Sequence, residues 1–330
     1  MSLLRRALEP LVESTVALSY GAPGYRLRAG EWDPRELDVD CRGRTALVTG
    51  ANSGIGRAVA HGLARRGASV ILVCRNPERG REALEALRAE TGSTCVRLEF
   101  ADVSLVRDLA RLVRAVRESA GRLDVLVNNA GVVIPTRETT SEGLEKTFAT
   151  NVLAGFALTC GLRPLLERAA VDAPARVVTV TSGGMYTQRF ALEDPQSERS
   201  YSGLRAYAQS KRAQVLLNGE FAARLGPCGI VSSAMHPGWA ATPGVAGALP
   251  RFESLFGWLL RTPEQGADTA LWLSVSEAAK EANGRLYLDR RQRREHVLPW
   301  TRSPEGTGAR LYDYCAELLR ARGDAADFGL

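Results

Sequence analysis

The sequence predicts an α/β fold, built as a single doubly wound domain with a mostly parallel, seven-stranded sheet and helices on both faces. Short runs rich in Val, Leu and Ile alternate with helical segments of about 12–25 residues from residue 44 to residue 288. Most of these runs are apolar on both faces, which is typical of parallel strands covered by helices on two sides. The expected strands cover residues 45–49, 69–74, 94–100, 123–127, 176–181, 230–235 and 285–288.

This alternation occupies most of the chain and divides it into three parts. Residues 1–42 are expected to form an N-terminal extension packed on the domain, and residues 43–290 the domain itself. Residues 291–330 are expected to form a C-terminal extension with one helix near residues 308–322. A substrate loop is expected at about residues 239–262, because ligands bind beyond the carboxyl ends of parallel strands.

The charge balance indicates a small ligand rather than nucleic acid. The chain has 43 basic and 37 acidic residues, a formal net charge of +6, and no basic stripe with interleaved aromatic residues. A phosphate-bearing small molecule is sufficient to account for this mild excess. The arginines at 290–294 are interpreted as a solvated loop, with a membrane-surface or partner role as the alternative.

The cysteines and histidines give no metal-ligand pattern. The six cysteines form no C-x-x-C pair and the three histidines lie far apart, so no bound metal is expected. Cysteines scattered through apolar stretches are typical of a reduced, intracellular protein, so we expect a cytoplasmic location. Residues 3–18 have helical apolar spacing interrupted by charges, and neither a signal peptide nor a membrane span is expected. Peripheral membrane contact by this segment is the alternative.

A glycine-rich loop, Thr-Gly-Ala-Asn-Ser-Gly-Ile-Gly at 49–56, follows the first expected strand and opens a helix near Ile55. Gly50 suits a tight turn. Gly54 and Gly56 let the backbone come close to a pyrophosphate and let the helix pack closely on the strand. The helix N-terminus then faces the anion. A glycine-rich turn without a ligand is the alternative, which the position directly after the first strand disfavours. The loop therefore predicts a Rossmann-type domain that binds a dinucleotide.

Arg75 indicates which dinucleotide is expected. NAD-binding proteins usually carry an acidic residue about 20 residues after the loop, at the end of the second strand. The segment Val73-Cys74-Arg75-Asn76 has no carboxylate, and a guanidinium can pair with a 2′-phosphate. The sequence therefore predicts NADP(H) in preference to NAD(H).

Two further segments end strands at the same edge of the expected sheet. Asp102 ends the third strand, where its carboxylate can accept from the adenine amino group, with a helix N-cap as the alternative. Ser104 fits that N-cap better. Asn128-Asn129-Ala130-Gly131 ends the fourth strand, and its small residues and amides suit close packing against the adenine and ribose. As an isolated tetrapeptide this segment would equally suit a turn.

Tyr207 and Lys211 lie four residues apart on an expected helix and therefore share one face. A free tyrosine has a pKa near 10, and a nearby ammonium is expected to lower that pKa toward neutrality. Ser182 ends the fifth strand, where its hydroxyl can hold a carbonyl oxygen. Asn151 lies in a helix, where it can hold a water that relays protons to Lys211. The pattern predicts proton exchange with a carbonyl oxygen; an ordinary surface pair and a turn serine are the alternatives.

The segment His236-Pro237-Gly238-Trp239 follows the sixth strand and leads to Thr242, which is expected to bond the nicotinamide amide. A Ser-His-Asp hydrolase built on His236 is disfavoured because the chain has no G-x-S-x-G segment. The expected cofactor contacts are Gly50, Asn52, Ser53, Gly54, Ile55, Gly56, Arg75, Asp102, Val103, Asn129, Ala130, Gly131, Tyr207, Lys211, Pro237, Gly238 and Thr242.

The order and spacing of these motifs resemble the short-chain dehydrogenase/reductase family over about residues 43–290. The resemblance implies a catalytic tetrad of Asn151, Ser182, Tyr207 and Lys211. The gap of 25 residues between Ser182 and Tyr207 and the insert at 190–201 resemble the retinol-dehydrogenase-like reductases. The N-terminal extension and residues 182–185 and 235–245 resemble the dehydrogenase/reductase SDR family member 12-like proteins. Ala101 departs from the family pattern, in which a larger residue is usual.

The motifs and the resemblance together predict an oxidoreductase that transfers hydride between the nicotinamide and a carbonyl or alcohol. Apolar residues at 249–260 favour a lipophilic substrate such as a retinoid, a steroid or an aliphatic aldehyde; a packed lid helix and membrane contact are the alternatives. A cofactor-sensing protein with little turnover is a second hypothesis. A sugar-nucleotide epimerase, whose glycine loop is spaced differently, is a third. The resemblance also implies a homodimer through the helices after the fourth and fifth strands.

Overall fold

The computed structural model describes residue 12 and residues 15–241, 257–323 and 325–330. Within these ranges, eight strands form one sheet in the order β3-β2-β1-β4-β5-β6-β7-β8. All strand pairs among β1–β7 are parallel. Strand β8 lies at the edge of the sheet and pairs antiparallel with β7. The strands are β1 Thr45–Thr49, β2 Ser69–Cys74, β3 Val96–Phe100, β4 Val125–Asn128, β5 Ala175–Val180, β6 Ile230–Met235, β7 Leu286–Leu288 and β8 Arg291–Arg293.

Helices cover both faces of the sheet, because the connections between parallel strands must cross over it. In chain order they are α1 Val16–Tyr20, α2 Ala22–Ala29, α3 Gly54–Arg65, α4 Pro77–Thr91, α5 Val106–Ser119, α6 Lys146–Gly161, α7 Arg163–Ala170, α8 Gly203–Leu225, α9 Pro263–Val275, α10 Thr307–Arg322 and α11 Ala325–Phe328. No single helix of the described ranges is long and apolar enough to cross a membrane, although the bent pair α6–α7 passes that test jointly.

The apolar core forms two layers, one on each face of the sheet. On one face, Leu109 of α5, Phe156 of α6 and Phe221 of α8 are buried in the same cluster. On the other face, Leu63 of α3 and Leu273 of α9 are buried together. The doubly wound α/β architecture predicted from the sequence is therefore confirmed.

The strand count differs from the prediction, because β8 was not expected. Asp289 and Arg290 join β7 to β8, and both have left-handed backbone conformations, with φ of 54° and 55°. A two-residue hairpin needs this conformation at both positions, and Asn-Gly or Asp-Gly usually supplies it. Here ion pairs hold the turn: Asp289 binds Arg261, and Arg290 binds Asp268. The interpretation of residues 290–294 as a solvated loop is therefore wrong.

The described part of the N-terminal extension lies against this hairpin. Glu36 accepts hydrogen bonds from Arg290 at 3.1 Å and from the indole nitrogen of Trp272 in α9 at 3.0 Å. Glu31 pairs with Arg291 of β8 at 2.7 Å. The hairpin at the sheet edge and the N-terminal extension therefore fix each other.

The C-terminal helix α10 packs across α8. Tyr312 stacks edge-on against Phe156 of α6 at 4.8 Å and Phe221 of α8 at 6.0 Å between ring centroids. The guanidinium of Arg224 lies 4.0 Å from the Tyr312 ring centroid. This part of the helical layer is thus covered by the chain's own C-terminal segment.

Candidate active site

A cavity of about 650 Å³ opens at the carboxyl ends of the parallel strands. From β1 the chain adds β2 and β3 on one side of the sheet and then crosses to add β4, β5 and β6 on the other side. The cavity lies at this change of direction, which is where doubly wound sheets bind their ligands. Most of the predicted cofactor residues line it: Gly50, Asn52, Ser53, Gly54, Ile55, Arg75, Asp102, Val103, Asn129, Ala130, Gly131, Tyr207, Lys211, Pro237 and Gly238. Thr242 lies outside the described residues, as do the apolar residues predicted at 249–256.

The glycine loop forms the floor of the cavity below the N-terminus of α3. Gly50 and Gly54 have left-handed φ values of 65° and 53°, which only glycine adopts readily. In the described structure, the Ser53 side chain makes no capping hydrogen bond to α3. The first backbone N–H groups of α3 therefore remain available to an anion, as a pyrophosphate requires.

Gly56 does not line the cavity; its importance lies in the close packing of α3 on the glycine loop. A Cβ at this position would lie 2.4 Å from the Asn129 amide nitrogen and 2.4 Å from the Gly50 carbonyl oxygen. The Asn129 amide in turn donates to the Thr49 carbonyl at 2.8 Å. The absence of a side chain at Gly56 thus lets α3, the glycine loop and the end of β4 approach one another.

Arg75 and Asp102 lie at one end of the cavity. Arg75 is exposed and follows directly after β2. Asp102 accepts hydrogen bonds from the backbone nitrogen and hydroxyl of Ser104 at 3.0 and 2.7 Å. Ser104 does not cap α5 as expected, because the Glu142 carboxylate takes that place by accepting from Val106 N–H at 2.6 Å.

Asn151 lies behind the cavity wall, in a π-helical turn spanning Ala149–Leu153 within α6. Its side chain accepts from Val132 N–H at 2.8 Å and donates to the Val132 carbonyl at 3.0 Å. It also donates to the Ser210 hydroxyl at 2.9 Å, while Gln214 donates to the Asn151 carbonyl at 2.7 Å. The Asn151 side chain therefore fixes the backbone after Gly131 to helix α8.

Tyr207, Lys211 and Ser182 all line the cavity. The Lys211 ammonium nitrogen lies 5.6 Å from the Tyr207 ring centroid and donates to the Val180 carbonyl at 3.0 Å. The Ser182 hydroxyl accepts from Gly184 N–H at 3.2 Å. Helix α8 and the end of β5 thus bring together the three side chains that the sequence singled out.

The pKa values of Tyr207 and Lys211 differ from the prediction. Burial raises the pKa of Tyr207, and a hydrogen bond with the Ser182 side chain opposes that rise. Burial also lowers the pKa of Lys211 to about 7. The expected lowering of the Tyr207 pKa by Lys211 is therefore not seen, because burial favours the neutral form of both groups.

His236 is buried and remains neutral. Burial, reinforced by the Arg261 guanidinium, lowers the pKa of His236 to about 3. Its Nδ1 accepts from Gly238 N–H at 3.3 Å, so the ring supports the turn that lines the cavity. This placement gives His236 a structural role in the wall, and among the described residues it has none of the contacts of a hydrolase triad.

Several lining residues were missed by the sequence reasoning. They include Val73, Val132, Val133, Thr187 and Leu204, whereas Trp239 and Leu260 fall in the substrate loop that was predicted. Most are apolar residues in or beside strands, and their sequence pattern does not separate a cavity wall from an ordinary core. Only the tertiary arrangement of the strand ends identifies them.

Comparison with known proteins agrees with this geometry. The family model for short chain dehydrogenases matches residues 44–250. The chain is 41% identical over 304 residues to dehydrogenase/reductase SDR family member 12 of Bos taurus, covering 91% of this chain and 94% of that protein. It is 34% identical over 287 residues to retinol dehydrogenase 12 of Homo sapiens, covering 86% and 89%.

A solved structure shares the fold as well. The Pseudomonas aeruginosa RhlG/NADP active-site complex is similar with a TM-score of 0.63 and 28% identity, covering 77% of this chain and 96% of that one. The glycine loop, the uncapped helix N-terminus and the cavity volume fit a nicotinamide dinucleotide. The chain therefore belongs to the short-chain dehydrogenase/reductase family, in its retinol-dehydrogenase-like branch, and is a nicotinamide-dependent oxidoreductase acting on a CH–OH or C=O group.

Proposed function

We propose that the protein is an NADP(H)-dependent oxidoreductase that interconverts a carbonyl and an alcohol on a neutral, lipophilic substrate. The observation that carries this proposal is one continuous cavity. The glycine loop and Arg75 lie along it, and so do Ser182, Tyr207 and Lys211. Cofactor binding and proton transfer would therefore take place in the same space.

The preference for NADP(H) rests on Arg75. Its guanidinium is exposed at the mouth of the cavity, and the residues that end β2 carry no carboxylate to bond the ribose hydroxyls of NAD. A 2′-phosphate would gain a charge-assisted hydrogen bond there. The similarity to a structure described as an NADP complex supports the same choice.

The bound nicotinamide would supply or accept the hydride. Tyr207 would exchange the proton at its phenolic oxygen, and the Ser182 hydroxyl would hold the substrate oxygen beside it. Lys211 would stabilise the phenolate when protonated, which a pKa of about 7 permits near neutral pH. Asn151 would act through position, since its side chain is engaged with Val132 and Ser210.

The substrate class follows from the remaining lining. The charged side chains among the described lining residues are Arg75, Asp102 and Lys211, all of which already have roles in this proposal. Val132, Val133, Leu204, Trp239 and Leu260 make the rest of the wall largely apolar. A neutral retinoid, steroid or aliphatic aldehyde suits this surface, and the similarity to retinol dehydrogenase 12 is consistent with the first class.

The tetrad residues are expected to govern turnover, and Arg75 the choice of cofactor. Tyr207→Phe should lower turnover by about 10²–10⁴-fold while leaving NADPH binding largely intact. Arg75→Ala should weaken NADPH binding about tenfold or more and leave NADH binding nearly unchanged. Both are measured by NADPH oxidation and cofactor titration, with retinaldehyde, steroid ketones, aliphatic aldehydes and quinones as substrates.

Arg65→Ala serves as the matched control for charge, because Arg65 is exposed at the far end of α3. Equal loss of NADPH affinity in both arginine variants would refute the role of Arg75. Tight NADPH binding without turnover on any substrate would favour the cofactor-sensing alternative, which the assembled Ser182, Tyr207 and Lys211 disfavour.

We further propose a cytoplasmic protein with peripheral membrane contact. All six cysteines are free, in line with a reducing compartment. Val16 and Trp258 expose 60% and 77% of their surface, which offers apolar contact points for a lipid surface. Pelleting with liposomes tests this, and full recovery in the supernatant would contradict it.

The homodimer expected through α6 and α8 is constrained by the C-terminal helix. Tyr312 already occupies the surface formed by Phe156 and Phe221. We therefore propose that any dimer uses the parts of α6 and α8 outside this contact. Light scattering on the purified protein measures the state, and a monomer at micromolar concentration would contradict a dimer.

A further inference from the structure

The N-terminal helix α1 ends beside the catalytic serine. The Tyr20 ring packs on Gly183, where an added Cβ would lie only 2.8 Å from the Tyr20 Cε2 atom. Gly183 directly follows Ser182, so the ring supports the backbone that carries the Ser182 hydroxyl. The Tyr20 ring also lies 4.7 Å from the His236 ring between centroids.

The same residue also contacts a second part of the cavity wall. The Tyr20 carbonyl accepts from Trp239 N–H at 2.8 Å. At Gly238, which has a left-handed φ of 71°, a Cβ would lie 2.4 Å from the Tyr20 carbonyl oxygen and 2.5 Å from Arg261 Nε. Gly238 and Trp239 both line the cavity. Tyr20 therefore contacts two backbone segments that carry cavity-lining residues, the one at Ser182–Gly184 and the one at Gly238–Trp239.

A buried ion cluster fixes the residues around Tyr20. Arg28 donates to the Ser19 carbonyl at 2.9 Å, and Arg261 donates to that carbonyl at 3.1 Å and to the Gly21 carbonyl at 3.2 Å. Asp289 binds both guanidiniums at 2.5 Å, and all three charged side chains are only 1% exposed. Buried ion pairs of this kind tolerate little displacement, because a separated charge would be left without water or a partner.

Arg261 also connects this cluster to the substrate loop. Its backbone N–H donates to the Trp239 carbonyl at 2.7 Å, and its carbonyl accepts from Ala241 N–H at 2.8 Å. The two ends of the loop that the sequence places after β6 are thus joined to each other and to the N-terminal segment. The segment spanning residues 19–21 does not line the cavity itself and supports the Gly238–Trp239 part of the wall from behind.

We propose that Tyr20 is a positioning residue of the active site, held by the Arg28–Asp289–Arg261 cluster, and that it sets the separation between Ser182 and the Gly238–Trp239 wall. This inference rests on the proposed reductase function. Its contacts lie at the end of the cavity that holds Ser182 and the Gly238–Trp239 turn, where the nicotinamide and the substrate would meet. The contacts described do not include Arg75 or the glycine loop, which would hold the 2′-phosphate and the pyrophosphate. Loss of the Tyr20 ring should therefore affect substrate turnover much more than NADPH affinity.

The test compares Tyr20→Ala with Tyr20→Phe in the full chain. The contacts described above use the ring and the backbone carbonyl of Tyr20, so phenylalanine should retain wild-type kinetics. Alanine should lower kcat/KM about tenfold to a hundredfold, with a raised KM, because small displacements of reacting groups have large effects. Rates are expressed per NADPH-binding site, so that unfolded protein does not enter the ratio.

Arg35→Ala is the matched control, because Arg35 belongs to the same extension but pairs with Asp33 at the surface. It should leave all kinetic values unchanged. Wild-type kcat/KM in Tyr20→Ala, or equal losses in the alanine and phenylalanine variants, would overturn the proposal. A fall in the number of binding sites with unchanged KM would show only a role in stability and would overturn it as well.

A second measurement keeps this inference separate from the reductase proposal. Amide hydrogen exchange of the NADPH-bound protein should show faster exchange at Trp239 in Arg28→Gln, because the Tyr20 carbonyl that accepts this N–H would lose its support. Unchanged exchange at Trp239 would contradict the positioning role. If the wild-type protein reduces no substrate, the reductase proposal fails while the exchange result still decides the role of the cluster.

Discussion

Lys211→Met is expected to stabilise the free protein while abolishing its activity. The Lys211 side chain is 3% exposed, and burial lowers its pKa from the ordinary 10.5 to about 7. This difference corresponds to a cost of about 5 kcal/mol for keeping the protonated lysine in the folded state. Methionine removes that cost and fills a similar volume. It loses the hydrogen bond to the Val180 carbonyl, worth about 1 kcal/mol.

The pH dependence of this effect has a definite sign. Between pH 7 and 10.5 the unfolded chain binds the proton that folded Lys211 releases, so the wild-type protein gains stability as pH rises. The advantage of Lys211→Met should therefore be greatest at and below pH 7, at about 3–4 kcal/mol. It should decline by about 1.4 kcal/mol per pH unit above that and vanish at about pH 9–10, where the remaining cost of the buried ammonium equals the lost hydrogen bond.

Urea denaturation of both proteins at several pH values measures this directly. Lys280→Met is the matched control, because Lys280 is partly exposed and should change stability by less than about 0.5 kcal/mol at every pH. A Lys211→Met protein that is less stable than wild type across the range would refute the reasoning. It would mean that Lys211 is protonated in the fold and stabilised by its surroundings.

Two further variants test the packing around the site and the C-terminal helix. Gly56→Ala should destabilise the protein by about 1–3 kcal/mol and weaken NADPH binding, because its Cβ would meet main-chain and amide atoms at 2.4 Å. Gly219→Ala, on an open face of α8, should be neutral or stabilising in the same denaturation assay; similar losses in both would contradict the contact argument. Tyr312→Ala should lower the unfolding free energy by about 2–3 kcal/mol, through loss of its contacts with Phe156 and Phe221, with kcat per folded molecule unchanged. An unchanged denaturation midpoint would contradict this.

Much of the sheet could be predicted because its strands are buried on both faces. The runs expected at 45–49, 69–74 and 230–235 are the strands β1, β2 and β6 with the same bounds. Parallel strands under two helical layers must be apolar on both sides, and this leaves a clear sequence pattern. The Arg-Gln-Arg segment of β8 has no such pattern. Its turn depends on ion pairs with residues distant in the chain, such as Arg261, which local sequence does not reveal.

The placement of the site residues was easier to predict than the electrostatics of the site. Strand ends carry Ser182 and Asp102 to one edge, and helical spacing places Tyr207 and Lys211 on one face. Their roles, and the division of the chain into a domain and two extensions, remain predictions. The direction of the Tyr207 pKa was missed, because the spacing of two side chains says nothing about how deeply both are buried.

The position of the ion cluster bears on how related enzymes would differ in substrate. The family model covers residues 44–250, whereas Arg28, Arg261 and Asp289 all lie outside that range. The residues inside it form strands β1 to β6 and the glycine loop and carry Ser182, Tyr207 and Lys211, to which we assign the chemistry. The Gly238–Trp239 part of the wall instead depends on contacts from segments on both sides of that range. A change at Arg28, Arg261 or Asp289 can therefore move Gly238 and Trp239 relative to Ser182. In the proposed reductase this would change substrate choice while leaving hydride transfer intact.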